Sequence, residues 1–186
     1  MAARVLLFDP AERFVVGTVG QPGDRTFFIQ AEAGSRLISV SLDKSQVQAL
    51  ADRLVIMLRE IKQSNPLFTL TKIAKDDGPL STPIEEEFRV GVIGIAFDDN
   101  AEKIQIDLQS FTEDSEESES DLEFIDVDDL SDDQDVLRVI ITPGQAEQFS
   151  KRAHIVINAG RTPCPFCGFP IDPRGHLCPR ANGYRR

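Results

Sequence analysis

Two stretches of this chain, 99 residues apart, spell the same run of strand, helix cap and amphipathic helix, and this limits the fold more than any other feature. In the first, Ile38, Val40 and Leu42 alternate with Ser39 and Ser41, the period of a strand with one buried face. Asp43 then stands where an N-cap is expected, with Gln46 three residues on. Val47, Leu50, Leu54, Leu58 and Ile61 follow at helical spacing. Asn65-Pro66 ends that helix, because the residue before proline avoids the α region. In the second, Leu137, Val139 and Ile141 lead into Thr142, Pro143 and Gln145, a Thr-x-x-Gln capping pattern with proline at the first helical position. Ala146, Phe149, Ala153 and Ile157 then form an apolar face. Leu50, Arg53, Leu54 and Leu58 fall opposite Phe149, Arg152, Ala153 and Ile157.

Other strands precede each helix. Phe14 to Val19, Thr26 to Ala31 and Arg36 to Leu42 are rich in β-branched and aromatic residues, and Gly20-Gln-Pro-Gly23 and Glu32-Ala-Gly34-Ser35 punctuate them. Gly17, Gly20 and Gly23 lead into a strand, so they read as a hairpin turn and not as a phosphate loop, which opens a helix. Residues 75–86 read as a loop. Phe88 to Phe97, Lys103 to Phe111 and Val136 to Ile141 make a second strand set. The expected fold is α+β: two β-β-β-α halves, about 1–74 and 87–159, forming sheet-and-helix layers in a body of residues 1–159. An internal duplication explains the superposition; so does the general resemblance of any strand capped into a helix.

Charge divides the chain. The net charge of −11 is concentrated in residues 98–135, which hold 17 acidic groups and one basic group, while residues 151–186 hold seven basic groups and one acidic. Residues 112–135 cannot bury enough apolar surface to fold against themselves, so an acidic flexible loop is expected there. Its apolar patch, Phe124-Ile-Asp-Val127, reads as a short packed strand or as a docking peptide. No calcium-loop pattern of oxygen ligands appears in it. Ser115, Ser118 and Ser120 lie among acids, where phosphorylation would change local charge little.

Residues 160–186 form a separate tail with its own chemistry. All three cysteines fall there, as Cys164-Pro-Phe-Cys167-Gly168 followed by His176-Leu-Cys178-Pro179. Two ligand pairs, Cys-x2-Cys and His-x-Cys, supply the four borderline-soft donors of a tetrahedral zinc ion. Gly168 frees the turn after the second thiolate to adopt positive φ, and Pro165 and Pro179 stiffen the two turns. Four ligands close the shell, so one structural Zn2+ is expected, held by Cys164, Cys167, His176 and Cys178. Three buried free cysteines with an incidental histidine, or a redox pair at Cys164 and Cys167, are the rival readings. The first leaves a segment with too little apolar content to fold unaided, and the second lacks a βαβ context. Around the motif, Arg161, Arg174, Arg180, Arg185 and Arg186 with Tyr184 form a possible anion or partner contact.

Nothing marks an active site. His154, the one histidine outside the zinc motif, reads as a helix C-terminal contact, and no nucleophile–base pair can be assembled. The opening apolar run meets Asp9 and Pro10 at once, which does not read as a signal peptide, and no segment approaches the roughly 18 apolar residues of a membrane span. A cytoplasmic protein with reduced thiols is expected.

The chain also resembles an actinobacterial domain-of-unknown-function family of conserved hypothetical proteins with a C-terminal CPFCG…HxCP motif. Phe8-Asp-Pro10 with Phe14, Gly17 and Gly20 carries the resemblance at the start. Cys164-Pro-Phe-Cys167-Gly168 and Gly175-His-Leu-Cys178-Pro-Arg180-Ala-Asn-Gly183-Tyr-Arg185 carry it at the end. It spans nearly the whole length and implies no particular activity. Members are encoded beside a histidine-phosphatase-like and a lipid-kinase-like protein, which implies a shared regulatory complex. The tail is also similar to half a zinc ribbon, with His176-x-Cys178 in place of a second Cys-x2-Cys. The sequence points to a non-enzymatic adaptor or regulatory protein that contacts a protein partner. A nucleic-acid-binding accessory factor using the arginine-rich tail is the second reading, and an undetected enzyme the third.

Overall fold

The computed structural model describes residues 3–111, 124–125, 134–160, 163–169, 171, 176 and 178–180. It is an α+β fold with a mixed sheet and two helices. In chain order the elements are β1 (Val5–Phe8), β2 (Arg13–Val19), β3 (Thr26–Ala33), β4 (Arg36–Leu42), α1 (Lys44–Ser64), β5 (Glu86–Asp98), β6 (Lys103–Ser110), β7 (Phe124–Ile125), β8 (Val136–Ile141) and α2 (Pro143–Asn158). Seven strands run in the order β1-β8-β6-β5-β4-β3-β2, and β7 pairs with β5.

Register explains the order. Each strand set is antiparallel inside, and its inward residues line up in rows. Phe14, Ala31 and Ile38 form one row, and Val16, Ile29 and Val40 the next. The other set repeats this with Ile93, Leu108 and Leu137, then Ile95, Ile106 and Val139. β4 and β5 join the sets in parallel. The two units therefore share strand order and direction. Buried residues of both helices, including Leu50, Leu54, Ala146, Phe149 and Ala153, enter the same core as these rows.

β1 was not among the expected strands. Its four residues pair in parallel with β8, across more than 120 residues of chain, so no local pattern announces it. It places the two outermost strands, β1 and β2, next to each other in sequence. Residues 9–12 link them, and there Ala11 N–H donates to Ile140 O at 3.0 Å and Glu12 N–H to Glu32 O at 2.9 Å. These bonds reach β8 and β3 respectively, so the sheet curls until its ends meet at this corner. Arg36 Nη1 donates to Leu7 O at 2.9 Å along the outer edge of β1.

Both helix starts form as their residues dictate. Asp43 and Thr142 take extended backbone at the cap. Gln46 Oε1 accepts from Asp43 N–H at 2.9 Å, and Gln145 Oε1 accepts from Thr142 N–H at 2.8 Å. In α2 the bond is reciprocated, with Gln145 N–H donating to Thr142 Oγ1 at 3.2 Å. Each glutamine also holds the sheet: Gln46 Nε2 donates to Val90 O at 3.1 Å and Gln145 Nε2 to Ala11 O at 2.8 Å.

The expected loop 75–86 is irregular through residue 85, with Glu86 opening β5, and it is closely packed. It crosses the outer face of β2, β3 and β4, which is why Gln30, Ser39 and Ser41 there are buried. Gln30 Nε2 donates to Ser81 O at 2.9 Å, and Ser81 N–H donates to Gln30 Oε1 at 2.8 Å. Arg152 of α2 donates to Val16 O, Asp76 O and Gly78 O at 2.6 to 2.8 Å. Arg13 hydrogen-bonds Asp76, Glu32 and Ser81. Where the preceding stretch passes α2, Thr71 O lies so close that a Cβ on Gly144 would stand 2.3 Å from it, so only glycine fits.

His154 of α2 faces Asp52 of α1, with Nε2 3.5 Å from Asp52 Oδ1. Of the acidic segment 112–135, only Phe124, Ile125, Gln134 and Asp135 lie within the described residues; Phe124 and Ile125 pair in parallel with Ile93 and Gly94, the packed-strand alternative.

Arg152→Met, which keeps the stem and removes the donors, is expected to cost about 2 to 4 kcal/mol in urea unfolding, because carbonyls are left facing a thioether. Its counterpart Arg53 pairs at 3.1 Å with exposed Glu60, and Arg53→Met should cost within about 1 kcal/mol. The hydrogen bond from Arg13 holds the Asp76 carboxyl below its ordinary range, against some burial, with a further bond from Gly78 N–H. A depressed folded pKa adds stability above the ordinary carboxylate value of about 4, and this is lost as pH falls through the folded value. Asp76→Asn should therefore lower stability at pH 7 and flatten its decline in acid, measured as urea midpoints across pH.

Candidate metal centre

The chain after α2 turns at Ala159 and Gly160, where Arg25 Nη1 donates to Ala159 O at 3.1 Å. It then folds into a tight loop. Gly168 N–H donates to Cys164 O and Cys164 N–H to Phe169 O, both at 2.8 Å. Gly168 has φ of 77°, the left-handed turn expected of it. This puts Cys164 and Cys167 side by side.

The second ligand pair meets the first. One donor atom from each of Cys164, Cys167, His176 and Cys178 lies within 4.8 Å of every other. Cys164 Sγ and Cys178 Sγ are 3.7 Å apart, and Cys167 Sγ and His176 Nε2 are 3.3 Å apart. Tetrahedral bonds of the usual length would place two sulfurs roughly 3.8 Å apart and a sulfur and nitrogen roughly 3.5 Å apart. The donors fit a metal ion of that coordination, as the spacing predicts.

Electrostatics inside the loop favour one ionised sulfur, that of Cys164. Burial alone raises the Cys164 thiol, but bonds from the Cys167 and Phe166 N–H groups and from the thiols of Cys167 and Cys178 bring it down to about 7. Burial and the neighbouring Cys164 push Cys167 up. Two sulfurs so near compete for one negative charge unless a cation joins them.

Cys164 and Cys178 are buried, yet the rings between and after the ligands are not: Phe166 is 63% exposed and Phe169 62%. Sequence reasoning passed over both, since phenylalanine is by default a core residue. Arg180 Nη1 donates to Phe166 O at 3.2 Å and so braces the loop. The other expected contact residues, Arg161, Arg174, Tyr184, Arg185 and Arg186, lie outside the described residues.

An α+β body followed by a Cys3His metal-site loop is thus the class of protein the chain defines. A family model described as "Protein of unknown function (DUF3090)" matches residues 6–178, and the chain belongs to that family. No curated protein and no solved structure matches it. Among the described residues no helix is long and apolar enough to cross a membrane.

Cys178→Ser and His176→Ala are each expected to cut metal content from about one ion per chain to near none by elemental analysis of reduced protein. The helix signal in circular dichroism should stay unchanged, because the ligands lie outside both helices.

Proposed function

We propose that this is a non-catalytic zinc-binding adaptor or regulatory protein, in which a structural zinc ion shapes the C-terminal loop and that loop contacts a protein partner. The observation that carries it is the exposure of Phe166 and Phe169 on a loop whose flanking cysteines are buried. Aromatic rings held out on a rigid turn are the anchors that dominate protein interfaces. Three thiolates and an imidazole suit zinc, and four protein ligands leave no coordination position for a reacting water. The reading places the protein in a reducing compartment, the cytoplasm, where free thiolates persist.

Exposed rings also stack on bases, which is what favours the second reading, a nucleic-acid-binding accessory factor. Salt separates the two: phosphate contacts lose affinity steeply as salt rises, and an apolar interface does not.

The test is affinity capture from native lysate with full-length protein and Phe166→Ala/Phe169→Ala, followed by a salt titration on the purified partner. The double variant should keep one zinc per chain and lose partner affinity at least tenfold. Equal capture by both proteins would sink the proposal, and a steep salt dependence with nucleic acid in the eluate would replace it with the second reading.

A further inference from the structure

A cleft of about 210 Å3 lies beside β2, apart from the metal centre. Its floor is the outer edge of β2 at Phe14 and Val15. Ile73 and Ala74 line one side and Gln148 and Phe149 of α2 the other, and the charged Glu12, Arg13, Asp76 and Arg152 also border it. The backbone at this edge points into it. Val16 O accepts from Arg152, so Val16 is turned away from β3. In an antiparallel ladder alternate residues direct N–H and C=O to the same side, so Phe14 presents both groups to the cleft. Among the described residues no strand pairs with it there.

The molecule shows what such an edge accepts. Phe14 stands in its row with Ala31 and Ile38 as Ile93 stands in its row with Leu108 and Leu137. At Ile93 and Gly94 the open edge of β5 is taken in parallel by two residues, Phe124 and Ile125. Arg53, the counterpart of Arg152, is turned to Glu60 and leaves that edge clear. On β2, Arg152 occupies Val16 O, so the stretch ahead of it fits a two-residue strand and no longer one.

We propose that this cleft is a strand-addition site for an extended peptide of a partner protein, carrying an aromatic residue followed by an aliphatic one. The peptide pairs with Phe14 through its backbone and, because successive strand side chains face opposite ways, turns one apolar side chain toward Ile73 and Ala74 and the other toward Phe149, the mode in which main-chain bonds give affinity and pockets give specificity. The site stands independently of the zinc loop.

The probe is a synthetic peptide, Asp-Leu-Glu-Phe-Ile-Asp-Val, which copies residues 121–127, titrated into 15N-labelled full-length protein. Amide shifts are expected at Phe14, Val15 and Ala74. Ala74 is exposed, so Ala74→Trp fills the cleft without touching the core and should weaken binding at least tenfold. A peptide with Ser at both apolar positions should not bind. Absence of binding at millimolar peptide would overturn the proposal. So would full binding to Ala74→Trp, or shifts confined to Ile93 and Gly94 (exchange with β7) or to Phe166 and Phe169 (capture by the zinc loop).

Discussion

One glutamine at the third position of each helix fixes where the helices sit. The side chain closes the helix cap with its oxygen and, with its nitrogen, holds a carbonyl of β5 or of the link between β1 and β2. Those carbonyls, at Val90 and Ala11, lie where a strand leaves one partner for another: β5 passes from β4 to β6, and the β1–β2 run passes from β8 to β3. At such a bend the ladder cannot satisfy every backbone group, and a buried carbonyl left alone is costly. A single amide therefore settles the cap, the bend and the helix position together.

Much of this was legible because the signals are local. Alternation in Ile38, Val40 and Leu42, proline at 143 and the Thr142–Gln145 pattern each act within one or two turns of chain, and the structure follows them. The ligand spacing in the tail was legible for a chemical reason, since few arrangements other than a metal site bring three thiols and an imidazole together. What escaped was non-local. β1 is a strand only because β8 arrives beside it. Arg13, Arg152 and Asp76 sit in no local pattern, yet they clamp a segment across the outer face. Nothing local sets Phe166 and Phe169 apart from the core phenylalanines, yet both are exposed on a loop organised around its cysteines.

The loop and the body rest on different kinds of stability. The body buries rows of aliphatic side chains from six strands and two helices. The loop has its buried cysteines and a handful of backbone bonds. Any ion held by the four donors adds its binding free energy to the folding of that segment alone. With an ion held there, presentation of the two rings would depend on metal supply and thiol ionisation, whereas the core cluster of the body contains none of the four donors.

The arginines at the sheet margins have a consequence for how this chain behaves in a crowd of its own copies. An unpaired strand edge is a template on which another chain can grow. Arg36 sits on the carbonyl of Leu7 at the margin of β1, and Arg152 on that of Val16 at the margin of β2. Each puts a fixed positive charge and a wide planar group where an incoming strand would need an acceptor. At each margin one acceptor is already taken by a side chain, which shortens the run of backbone on which another chain could pair.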